Sequence, residues 1–190
     1  MSDARPLSYN NIYKINASKD NTTSFLVGVY EGNASINVFS KTENAKGPLV
    51  KLPFPNLDGV TKLSWYLKKC MDATPGARFS ISTTRYNVET KKAEPLGDIT
   101  VGRDDNATPF IAISAPGISP QVYLIRSSLQ WEVTSDNPDE PNKIALQAFI
   151  DKLEKEVRVA ILNTSYKKAP STAVNNNSSS SQAVKSDIPF

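Results

Sequence analysis

Apolar residues recur with a period of two in eight stretches of this chain and with a period near 3.6 in two, in an order that repeats: four strands then a helix, twice. The strand-like stretches are Asn11 to Ala17, Phe25 to Tyr30, Ser35 to Ser40, Leu49 to Phe54, Arg78 to Val88, Gly97 to Arg103, Phe110 to Ser114 and Gln121 to Leu129. Turn-rich segments separate them, among them Glu31-Gly-Asn-Ala34, Lys91-Lys-Ala-Glu-Pro, Asp104-Asp-Asn-Ala and Ala115-Pro-Gly-Ile-Ser-Pro. The first helix follows Asn56 and puts Val60, Leu63, Leu67, Cys70 and Met71 on one side before Ala73-Thr-Pro-Gly ends it. The second runs from Asp139 to Tyr166, with Leu146, Phe149, Ile150, Leu153, Val157, Ala160 and Ile161 at helical spacing and Pro141 in its first turn, where no amide donor is needed. This predicts an α+β fold of antiparallel sheets in two four-strand-plus-helix halves within one domain, residues 1–168.

After Lys168 the composition changes. Residues 169–186 (APSTAVNNNSSSSQAVKS) contain two valines as their only large apolar residues and one charge, so they cannot build a core and are expected to be a disordered linker. A coil of about 18 residues spans roughly 20–25 Å. Behind it stand the last four residues, Asp187-Ile188-Pro189-Phe190.

Histidine is absent and Cys70 is the single cysteine, which excludes Ser-His-Asp and Cys-His catalysis, His-ligated metals, structural zinc and an internal disulfide. The expectation is a protein that is not an enzyme and has neither a cofactor nor a metal. Cys70 reads as a small apolar residue on a buried helix face, Asp104-Asp105 as a solvated turn, and Lys68-Lys69 as the exposed side of the first helix. No stretch approaches the roughly 18 apolar residues of a membrane span and the N-terminus lacks a signal-peptide core, so a cytoplasmic protein without membrane partners is expected.

The terminal Asp187-Ile188-Pro189-Phe190 behind a low-complexity tether resembles the tip of bacterial and phage single-stranded DNA-binding proteins. In that family the tip recruits replication, recombination and repair enzymes, and the resemblance implies a partner-binding role for Asp187, Ile188, Pro189 and Phe190. Physically, an aromatic ring beside a carboxylate, stiffened by proline, suits a pocket with Arg or Lys at its mouth. Where the family carries further acids before the tip, this chain has Val184-Lys185-Ser186.

The usual body of that family is an OB barrel, shorter than the segment here. Four strands and a helix, twice over, resemble instead the Whirly class of single-stranded DNA-binding proteins; an elaborated OB barrel with a C-terminal helix is the alternative. Either implies aromatic platforms for bases and cations for phosphates. Strand alternation selects Phe39 with Lys41, Arg78 with Tyr86, and Phe110 as residues facing away from apolar neighbours, and separates Tyr123 from Val122 and Tyr13 from Ile12. Nearby cations complete the candidate set: Lys14, Arg85, Lys91, Lys92, Arg103 and Arg126. Net charge is only +3, from 22 basic and 19 acidic residues, yet Arg78 to Lys92 alone holds four basic residues against Glu89. Trp65 and Trp131 read as core anchors.

The resulting expectation is sequence-independent binding and protection of single-stranded DNA in replication or recombination, in a bacteriophage, by a homo-oligomer that recruits partner enzymes through its tip. The alternative is an interaction protein that mimics the tip to capture or block a host replication enzyme without touching DNA.

Overall fold

The computed structural model describes residues 10–30, 33–42, 47–54, 57–127 and 139–167. Strands β1 (Asn10–Ile15), β2 (Thr23–Tyr30), β3 (Asn33–Ser40) and β4 (Val50–Pro53) form one antiparallel sheet in chain order, followed by helix α1 (Leu57–Met71). Strands β5 (Arg78–Asn87), β6 (Lys92–Arg103), β7 (Pro109–Ala115) and β8 (Ile118–Leu124) form a second sheet in the same manner. A terminal helix then runs through α2 (Glu140–Asp151), a π-helical stretch (Lys152–Val157) and α3 (Arg158–Lys167). The fold is therefore α+β, with two four-stranded antiparallel sheets each followed by a helix.

One apolar cluster joins the two sheets and both helices. At its centre the Phe25 ring of β2 lies 5.4 Å from Tyr123 of β8 and 6.1 Å, edge-on, from Phe149 of α2. Such tilted and edge-on contacts suit the ring quadrupoles and add to the area they bury. Helix α1 buries Val60, Leu63, Leu67 and Cys70, and the terminal helix buries Leu146, Phe149, Ile150, Leu153 and Val157. Each completely buried Leu, Ile or Phe side chain contributes roughly 1.5–3 kcal/mol, so both helical stripes are anchored by their spacing.

Strand limits differ from expectation where turn residues lie inside strands. Lys92 to Pro95 belongs to β6, pairing with Thr84 to Asn87 of a long hairpin. Pro95 and Gly97 resemble breakers, but they flank a bulge that leaves Leu96 unpaired between Thr83 and Thr84. Likewise the turn between β7 and β8 tightens to Pro116-Gly117, where Gly117 takes φ 78°, and β8 starts at Ile118 rather than Gln121.

Arg103 ends β6 on the same face as Ile99 and Val101 and is 3% exposed. Its guanidinium donates to the Cys70 and Met71 carbonyls at the end of α1, to the Ala107 carbonyl and to Asp139 just before α2. It thus ties the second sheet to both helices. Among the described residues no helix is long and apolar enough to cross a membrane.

Candidate nucleic-acid interface

In the second sheet Phe79, Ile81, Ile99, Val101, Ile111, Ile113 and Tyr123 face the apolar cluster, which turns alternate residues outward. Two outward rows cross all four strands: Arg78–Gly102–Phe110–Leu124 and Ser80–Thr100–Ala112–Val122. They form a trough of about 330 Å³ whose walls include Lys19, Arg78, Phe110, Val122 and Leu124.

Its floor depends on small residues. A Cβ on Gly102 would stand 3.1 Å from two atoms of the Phe110 ring, so glycine allows that ring to lie down across the neighbouring strand. The Arg78 guanidinium sits 5.6 Å from the ring centroid, a cation–π distance, and only 5% of Phe110 is exposed. Phe110 does face away from the core as alternation predicts, but it forms the floor of the trough and not an open platform.

Lys19 reaches the trough from the connection between β1 and β2. Its amide donates to the Val122 carbonyl at 2.7 Å, docking the loop on edge strand β8. The loop holds itself together: the Ser18 hydroxyl donates to Asp20 and accepts from the Thr22 and Thr23 amides, while Asn21 takes a left-handed φ of 62°. Hydrogen bonds from Ser18 and Thr22 hold the Asp20 carboxyl below its usual range. Thr23 continues the join, bonding Gln121 and the Tyr123 hydroxyl at 2.8 and 2.7 Å.

Arg126 lies two residues beyond Leu124 in an adjoining depression that also includes Lys19 and Leu124. Among the described residues, the cations lining the two depressions are Lys19, Arg78 and Arg126, and the one lining carboxylate is Asp104. Asp104 already accepts the Asn106 and Thr108 amides at 3.0 and 2.8 Å, making the expected turn. Among the described residues no cluster of acids or cysteine could hold a metal ion.

The other sequence candidates divide by location. Tyr86 is 62% exposed and shares strand parity with Arg78, about 26 Å further along β5. Arg85 is exposed and lies 3.7 Å from Glu94; exposed Lys91 and Lys92 finish the same hairpin. Lys14, Phe39 and Lys41 belong to the first sheet. Lys14 begins a row on the face away from the apolar cluster, Lys14–Leu26–Asn37–Lys51, whose central residues Leu26 and Asn37 are nevertheless buried, and half-buried Phe39 faces Ser24. The Lys41 ammonium donates to Asn21 of the docked loop. Phe39 and Phe110 therefore lie on different sheets.

Three candidates are corrected. Tyr123 is completely buried between the sheets because Val122 and Leu124, its aliphatic neighbours, take the outward positions. Tyr13 stacks on Phe149 at 4.1 Å, and burial pushes its hydroxyl up to about 12. A bulge between Asn11 and Tyr13 turns both Ile12 and Tyr13 toward the cluster. Arg103 is consumed by the internal ties above; its parity with Ile99 and Val101 was the sequence signal for that. Trp65 is corrected in the opposite direction, being 53% exposed on α1. Trp131 and Asp187, Ile188, Pro189 and Phe190 lie outside the described residues.

Lys19 was missed because no local pattern announces that the loop after β1 docks on a strand a hundred residues later. No family model, no curated protein and no solved structure matches the chain.

Proposed function

We propose that the chain binds single-stranded DNA without sequence preference along the outer face of its second sheet, as a non-enzymatic, homo-oligomeric protein of phage replication or recombination. The observation that supports this most directly is the trough in which Arg78 lies over Phe110 and Lys19 lines the wall, continued by a depression that Lys19 shares with Arg126. Phosphates would track Lys19, Arg78 and Arg126, and bases would press on Val122, Leu124 and Ala112. Apolar contact carries no base code, so affinity should be tolerant of sequence. The hairpin with Arg85, Tyr86, Lys91 and Lys92 would offer a second handhold further along β5. The tip, Asp187 to Phe190, would recruit replication or repair enzymes to the coated strand.

Titration of the full chain with oligothymidylate at several salt concentrations tests this reading. Affinity should fall steeply with salt, and Arg78→Ala should lessen the slope of log K against log salt by about 0.7, the loss of one phosphate contact on a single strand. Absence of binding at low salt would overturn the reading. Deleting Ile188 to Phe190 should leave DNA binding intact and remove only recruitment.

A further inference from the structure

Among the described residues, strand β5 is an edge of the second sheet and pairs with β6 alone. On one side of it Arg78 faces the trough. On the other, the next residue, Phe79, stacks on Tyr66 of α1 at 5.4 Å and 21°, and Tyr66 adjoins Trp65 at 5.4 Å. The Lys69 ammonium rests 3.8 Å from the Trp65 ring centroid and 5.6 Å from that of Phe79, and Lys62 lies 5.8 Å from Tyr66. Among the described residues neither lysine forms an ion pair, whereas neighbouring Lys68 is engaged by Glu154. Trp65 is thus an indole half in water with the Lys69 ammonium over its ring, and a second ammonium, Lys62, lies over the adjoining Tyr66.

We infer that this ladder is a second contact for the nucleic-acid strand, which leaves the trough at Arg78, crosses the β5 edge and stacks a base on Trp65 with its phosphates at Lys62 and Lys69. The inference rests on the trough reading, since the ligand is the same strand. Chemistry and continuity favour it over a protein partner: alternating rings and cations suit bases and phosphates, and Arg78 and Phe79 are consecutive residues on opposite faces of one edge.

The test uses the full-length Trp131→Phe chain, in which Trp65 is the sole indole, with oligothymidylates of about 4 and about 16 nucleotides, the span of site sizes found for single OB folds. The long oligonucleotide should quench Trp65 emission and the short one should bind without doing so. Lys62→Glu/Lys69→Glu, a surface change, should weaken the long oligonucleotide roughly tenfold and the short one little, measured by anisotropy of the labelled DNA. Tight binding of the long oligonucleotide with unchanged Trp65 emission and unchanged affinity of the double variant would overturn this path while leaving the trough reading intact. Equal quenching by both lengths would also overturn it, by making the ladder an independent site. If neither length binds, both readings fail.

Discussion

The Arg103 guanidinium and the Asp139 carboxylate meet at 2.5 Å, with the arginine side chain 4% exposed and the aspartate 22%. The same guanidinium holds the last carbonyls of α1, so one side chain joins the end of one helix to the start of the other. Removing one partner of a buried pair leaves the other unpaired and costs about 3–5 kcal/mol. Arg103→Met should fall in that range, since it also strands three carbonyl acceptors. Asp139→Asn keeps an acceptor oxygen and should cost about 1–2 kcal/mol. Urea unfolding measures both, and a loss below about 1 kcal/mol for Arg103→Met would show that the helices are held by apolar packing alone.

Cys70 lies against that tie, 1% exposed, and burial pushes its thiol up to about 11 despite the pull of the Arg103 charge in the other direction. At pH 8 the thiolate fraction should be on the order of two hundredfold below that of a free cysteine. Iodoacetamide should therefore spare the native chain and alkylate it in urea. Because the folded value is raised, the corresponding stability is complete below the unfolded thiol's value near 8.5 and is lost as pH rises from there to about 11. Fast alkylation of the native chain at pH 8 would contradict the buried placement.

Glu154, in the π-helical stretch, accepts from Lys68 at 2.6 Å and from Ser64 at 2.5 Å, clasping the terminal helix to α1. These two hydrogen bonds hold its carboxyl below the usual range, the Lys68 bond most strongly. The folded value being lowered, the clasp stabilises above the unfolded carboxylate's pKa and is lost as pH falls through the folded one. With the side chain about a third exposed, Glu154→Gln should cost about 1 kcal/mol or less at neutral pH. Urea midpoints between pH 7 and pH 3 should drop less for Glu154→Gln than for the wild-type chain; parallel curves would remove Glu154 from the acid response.

Much of this architecture was legible because sheet alternation and helix spacing are local signals. Alternation correctly turned Phe110 and Arg78 away from Ile111 and Phe79. It also separated Tyr123 from Val122 and Leu124, but it cannot say which set faces inward when both are apolar: Tyr123 went in because Phe25 and Thr23 of the other sheet meet it there. Tyr13 escaped the pattern through a bulge, which shifts parity without leaving a compositional mark. Trp65 lies two residues from both Leu63 and Leu67, on the opposite side of α1 from the buried stripe of Val60, Leu63, Leu67 and Cys70; helical spacing turns it outward, and the core-anchor reading rested on its apolar sequence neighbours alone. The docking of Lys19 on β8 is a contact between halves of the chain and has no local signal.

The trough itself is most directly tested at Gly102. A methyl group there would come within 2.2 Å of the Ala77 carbonyl oxygen as well as 3.1 Å from the Phe110 ring. A ring can tilt, but the Ala77 oxygen is backbone and already accepts the Arg103 amide at 3.1 Å, so the start of β5 must move. Gly102→Ala should cost about 1–3 kcal/mol, the usual range for overpacking. Because Arg78 immediately follows Ala77, the same displacement should part the guanidinium from Phe110 and weaken oligothymidylate binding in chains that remain folded. Gly47→Ala, where an added Cβ meets nothing within 4 Å, should change stability by less than about 1 kcal/mol and leave binding unaltered. Urea unfolding and DNA titration of both variants separate the two effects. A Gly102→Ala chain that is destabilised yet binds oligothymidylate like the wild type would mean that the Arg78–Phe110 geometry is architectural, and that the strand is held elsewhere.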